Sequence, residues 1–148
     1  MNITLFDIAQ RFVGIKEIPG KDKNNSQIMA MLNLDQNWPE SDEVAWCSAF
    51  LNYCAWLLRL PRSKSLMARS WLQVGRPINF NEAKPGFDVV VLWRGLIDDG
   101  KSGHVGLFAV YVKDGVCLLS GNQNDSVLIS AYPVEKILGI RRLYLDKE

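Results

Sequence analysis

Residues 103–119, Gly-His-Val-Gly-Leu-Phe-Ala-Val-Tyr-Val-Lys-Asp-Gly-Val-Cys-Leu-Leu, decide the fold class. Valine, phenylalanine and tyrosine suit a pleated, half-buried surface, and Lys113-Asp114-Gly115 interrupts the run with turn chemistry, so the stretch reads as two antiparallel strands joined by a hairpin. On either side, Asp88-Val89-Val90-Val91-Leu92-Trp93 and Ile140-Arg141-Arg142-Leu143-Tyr144-Leu145 repeat the β-branched and aromatic pattern. Before Pro85 the recurring apolar spacing is helical instead. The expected class is α+β, with N-terminal helices packed on a meandering antiparallel sheet.

In the helical half, Thr4 with Asp7 three residues later is a capping pair, and Leu5, Ile8, Ala9 and Phe12 recur at helical spacing up to Gly14. A polar loop over 19–25 leads to a short helix through Ile28, Met29, Met31 and Leu32, then to turns at Asn37, Pro39 and Ser41. Between Cys47 and Arg59, Cys47, Phe50, Leu51, Cys54 and Leu58 share one helical face, while Ser48, Asn52 and Arg59 form a narrow polar stripe. Pro61 ends that helix, and a further one is expected over 65–75, through Trp71 and Leu72 to Gly75.

The 148 residues, 48% of them hydrophobic, suffice for one core and leave no room for a second, so residues 1–148 are expected to form a single domain. A formal charge of +1 supplies no field for a polyanion, which excludes dedicated nucleic-acid binding. The longest apolar stretch, over 44–60, is broken by Ser48, Asn52 and Arg59, so no membrane insertion is expected. The first residues lack the features of a secretory signal, which points to synthesis in a cytoplasm. Cys47, Cys54 and Cys117 are odd in number and widely spaced, unlike a disulfide framework.

The chemistry-bearing pair is Cys47 and His104. A thiol in the first turn of a helix feels the partial positive charge there, and a nearby imidazole favours its thiolate. His104 is the sole histidine, so any imidazole acid–base work falls to it. Along the hairpin, Ser120-Gly121-Asn122-Gln123 offers a side-chain amide to orient the ring, Asn122 first and Gln123 second. Competing readings stand beside this one: Cys47 as a small core residue, as Cys54 and Cys117 are read, or a zinc site from three thiols and the imidazole, which lacks any CxxC pair. Glu17, Asp42 and Glu43 are loop acids able to bind a substrate amine. Trp46, Trp71 and Trp93 are candidate groove residues, with core packing the competing reading and the preferred one for Trp71 and Trp93. Arg59, Arg62, Lys64, Arg69 and Arg76 fall in a segment without acids and form a basic face, and residues 98–102 form a turn before His104.

Six segments in order, Gly14-Ile15-Lys16-Glu17-Ile18-Pro19-Gly20, Ala45-Trp46-Cys47-Ser48-Ala49-Phe50, Ala68-Arg69-Ser70-Trp71, Pro85-Gly86-Phe87-Asp88-Val89-Val90, Gly103-His104-Val105-Gly106 and Gly121-Asn122-Gln123-Asn124, resemble the landmarks of small cell-wall-cleaving cysteine peptidases of the NlpC and CHAP group. The resemblance covers nearly the whole chain. It implies a papain-like core in which Cys47 attacks a peptide carbonyl, His104 carries the proton and Asn122 orients the ring. It further implies bacterial peptidoglycan as substrate, with Trp46, Trp71, Glu17 and Gln123 beside it, no metal or other cofactor, and a monomer. Two departures stand out: Ser120 occupies a position where the group usually carries glycine, and Phe87 splits the usual Pro-Gly-Asp. The first presents Gln123 as the alternative third residue. By this resemblance the protein is expected to be a phage endolysin released to the wall, an exported antibacterial effector, or, if silent, a wall-binding module.

Overall fold

The computed structural model describes residues 3–143. Three helices come first: α1 (Leu5–Gln10), α2 (Ser26–Leu32) and α3 (Cys47–Leu57), then a 3₁₀ segment, Ala68–Gln73. Six strands follow: β1 (Arg76–Pro77), β2 (Asp88–Trp93), β3 (Gly103–Val112), β4 (Gly115–Gln123), β5 (Ser126–Pro133) and β6 (Ile137–Arg142). They form one sheet in the order β1-β6-β2-β3-β4-β5, with every pairing antiparallel. The expected α+β class and the hairpin of β3 and β4 are both present.

The Thr4 hydroxyl accepts from the Asp7 amide at 3.1 Å and the Asp7 carboxylate accepts from the Thr4 amide at 2.8 Å, which closes the capping box. The helix then stops at Gln10, short of Gly14. The intervening residues form turns that bring the Gly14 amide to the Val127 carbonyl at 2.9 Å, tying this segment to β5. Instead of an α-helix over 65–75, the chain makes the shorter 3₁₀ segment, because Trp71 is drawn inward to Ser48.

Alternation along the strands sorts the core into two layers. Val89, Val91, Val105, Leu107 and Leu119 face the helices and pack with Leu5, Ile28, Phe50, Leu51 and Trp71. Val90, Leu92, Phe108, Leu118 and Ile140 pack on the other face. β2 is therefore buried on both faces, which explains its unbroken apolar reading.

Strand β5 is an addition that sequence reading did not supply. It is an edge strand in which Val127 alone is fully buried, and Ser126 and Ser130 dilute its β signal. Asn124 and Asp125, with φ of 51° and 61°, turn β4 back into it. The strand expected over 140–145 begins earlier, at Ile137, while Tyr144 and Leu145 lie outside the described residues. Among the described residues no helix is long and apolar enough to cross a membrane.

Candidate active site

Cys47 is the first residue of α3 and is 4% exposed. Burial pushes its thiol up. The amides of Val105 and Ser48, the charge of Arg94 and its own amide act the other way and favour the thiolate. Of these opposing groups the Val105 amide, which follows His104 on β3, acts most strongly.

His104 is the second residue of β3 and lies opposite Leu92 of β2. Cross-strand partners share a face, so the imidazole emerges on the Leu92 side while Val105 turns toward the helices. The amide that favours the thiolate and the imidazole thus belong to consecutive residues of β3, on opposite faces of the strand. The ring is 5% exposed, and burial, followed by the Arg94 charge, lowers its pKa to about 4, against a small opposing effect of Gln123. At neutral pH it is an uncharged base.

Nε2 of His104 lies 2.7 Å from the Ser120 hydroxyl and 3.3 Å from the Tyr132 hydroxyl. The tautomer decides which partner donates. Gly106 makes this approach possible: a Cβ there would stand 2.8 Å from Ser120 Cβ and 2.9 Å from its Oγ. Tyr132 in turn donates to Gln123 Oε1, and Gln123 Nε2 donates to the Leu128 carbonyl and, at 3.3 Å, to that of Ser120. Gln123, the second choice for orienting the ring, thus acts on the imidazole through a side-chain hydrogen bond that raises its pKa and also bonds Tyr132.

The sequence puts Asn122 forward as the group that orients the ring, but the groups that meet Nε2 are Ser120 and Tyr132. The register of β4 slips between Ser120 and Gln123, and Asn122 takes a left-handed backbone, φ 56°, on the wall of the cavity beside His104. It makes no hydrogen bond to His104. Ser120 was readable as a partner only through the hairpin register, and Tyr132 sits on the strand the sequence did not announce.

Trp46 and Trp71 do not line a groove. Both are fully buried, with indole N–H groups donating to Glu17 Oε2 at 3.0 Å and to Ser48 Oγ at 2.8 Å. Trp46 fits because Gly121 has no side chain; a Cβ there would come within 2.6 Å of the indole. Glu17, raised by partial burial, anchors that indole. Asp42 is 1% exposed and accepts from the Ile18 and Asn25 amides at 3.0 and 2.8 Å, fixing the 18–25 loop. Glu43 is exposed. Cys54 is buried in the core and Cys117 lies on β4; among the described residues no three His, Cys, Asp or Glu side chains gather as a metal-binding group.

No protein-family model matches this chain, and no curated protein matches it.

Proposed function

We propose that the chain is a papain-like cysteine hydrolase of the NlpC and CHAP kind that cleaves amide bonds in bacterial peptidoglycan. The observation that supports this reading is the packing of α3 on β3: Cys47 opens α3, the Val105 amide next to His104 favours its thiolate, and Nε2 of His104 lies 2.7 Å from the Ser120 hydroxyl. The substrate class rests on the six-segment resemblance. The protein would act on the wall after release from the cell that makes it.

In this mechanism neutral His104 takes the thiol proton as Cys47 Sγ bonds to the amide carbon. The first amides of a helix lack intrahelical partners, so the Cys47 N–H is available to the resulting oxyanion. His104 then returns the proton to the leaving amine as the C–N bond breaks, leaving a thioester. Water, deprotonated by the same ring, releases the acid and restores the thiol.

The test is digestion of purified sacculi. Wild-type protein should release new amino groups, iodoacetamide should stop it, and Cys47→Ala should release none. Should both proteins bind sacculi and neither cleave, the chain is a wall-binding module and the hydrolase reading falls.

A further inference from the structure

The cavity beside His104 has a volume of 140 Å³, and its wall includes Arg94, Asn122, Gln123, Tyr132 and Lys136. None of its lining residues is acidic. Ligand pockets that take a whole small molecule run to ~300 Å³ or more, so this one suits a single side group of a larger substrate. Its cations differ from the three arginines that are held by aspartates. Arg62, Arg69 and Arg142 are bound to Asp35, Asp98 and Asp88, whereas Arg94 is exposed and makes no ion pair among the described residues. Lys136 is set in place without a carboxylate: its ammonium lies 4.7 Å above the Trp93 ring and donates to the Gly95 carbonyl at 2.9 Å. That leaves further N–H groups on Lys136, and the whole guanidinium of Arg94, for a ligand.

We propose that this cavity is a carboxylate subsite, in which Arg94 and Lys136 hold a free carboxylate of the substrate peptide near the amide bond to be cut. The inference rests on the hydrolase reading above and narrows it to stem peptides that carry an unamidated carboxyl group close to the scissile bond. Arg94 acts electrostatically on Cys47, His104 and Tyr132 alike, which places its charge within range of the reacting groups. A substrate carboxylate there would be neutralised by two cations while the rest of the peptide extends past the sulfur. Side-chain amides of Asn122 and Asn124 on the same wall add donors and no repulsion.

The experiment compares a cross-linked disaccharide tetrapeptide dimer with its free carboxyl groups against the same dimer after amidation. Wild-type protein should cleave the acid form about ten- to a hundredfold better in kcat/KM, the range of one or two charge-assisted hydrogen bonds. Arg94→Ala and Lys136→Ala should each reduce cleavage of the acid form by a larger factor than that of the amide form, so the preference shrinks toward unity. A loss through weakened thiolate stabilisation would lower both forms equally. Equal cleavage of the two forms by wild type, or a preference that survives both substitutions, overturns the subsite. Binding of the two forms to Cys47→Ala, measured by calorimetry, separates the two readings. Tighter binding of the acid form that depends on Arg94, with no turnover by wild type, supports the subsite and removes the hydrolase. Equal or no binding together with no turnover overturns both.

Discussion

Replacing His104 with asparagine should change how the stability of this protein depends on pH. In the fold the ring is uncharged down to about 4, whereas in the unfolded chain it titrates near its ordinary value of 6.5. Above the higher value both states carry a neutral ring and the group contributes no pH dependence. As pH falls through 6.5 the unfolded chain binds a proton that the native state refuses, so the native state loses stability until pH reaches about 4. At ~1.4 kcal/mol per pH unit, that window amounts to about 3 kcal/mol, a large part of the ~5–15 kcal/mol that holds a typical domain. Urea unfolding followed by tryptophan fluorescence, from pH ~7.5 to ~4, would give both proteins' stabilities across the window. The carboxylates lose their native interactions equally in both, so the difference between wild type and His104→Asn isolates the imidazole. The gap should shift by about 3 kcal/mol in favour of the variant as pH falls. A gap independent of pH would refute the claim that this ring is held neutral by burial and by Arg94.

Other substitutions test the supports of the site and the core. Ser120→Ala removes the closest partner of Nε2 and should lower kcat/KM in sacculus digestion by roughly tenfold, whereas Ser120→Thr, which keeps the hydroxyl, should recover part of the loss. Gly121→Ala forces a methyl against the Trp46 indole and should destabilise the protein by about 1–3 kcal/mol in chemical denaturation. Asp88→Ala leaves Arg142, bound through two hydrogen bonds of 2.6 and 2.8 Å to a carboxylate that is 1% exposed, without that counter-ion, and should cost about 3 kcal/mol or more by the same measurement.

Local chemistry was legible in the residues themselves. The Thr4–Asp7 capping box, the Lys113-Asp114-Gly115 turn and the period change after Pro85 each depend on neighbours within a few positions, so the order of helices and strands follows from them. The same holds for Cys47 opening a helix and for His104 standing near the start of a strand. What lay beyond reach depends on residues far apart along the chain. That the Ser48 and Asn52 stripe faces inward, to receive Trp71 and to fix Lys64 and Ser65, follows from packing α3 beneath the 3₁₀ segment. The burial of Trp46 and Trp71 has the same origin, since either indole would serve equally well in a groove.

Sequence by itself therefore determined the kinds of element and the places of Cys47 and His104 on them, because propensity, capping and periodicity act over one or two turns of chain. Tertiary structure alone decided which groups hold the imidazole: the β3–β4 register brings Ser120 to Nε2, and an edge strand brings Tyr132 and Gln123 beside it. Sheet pairing is a long-range choice, set by which apolar faces can be buried together, and a slip of one residue in β4 would have sent a different side chain to that ring.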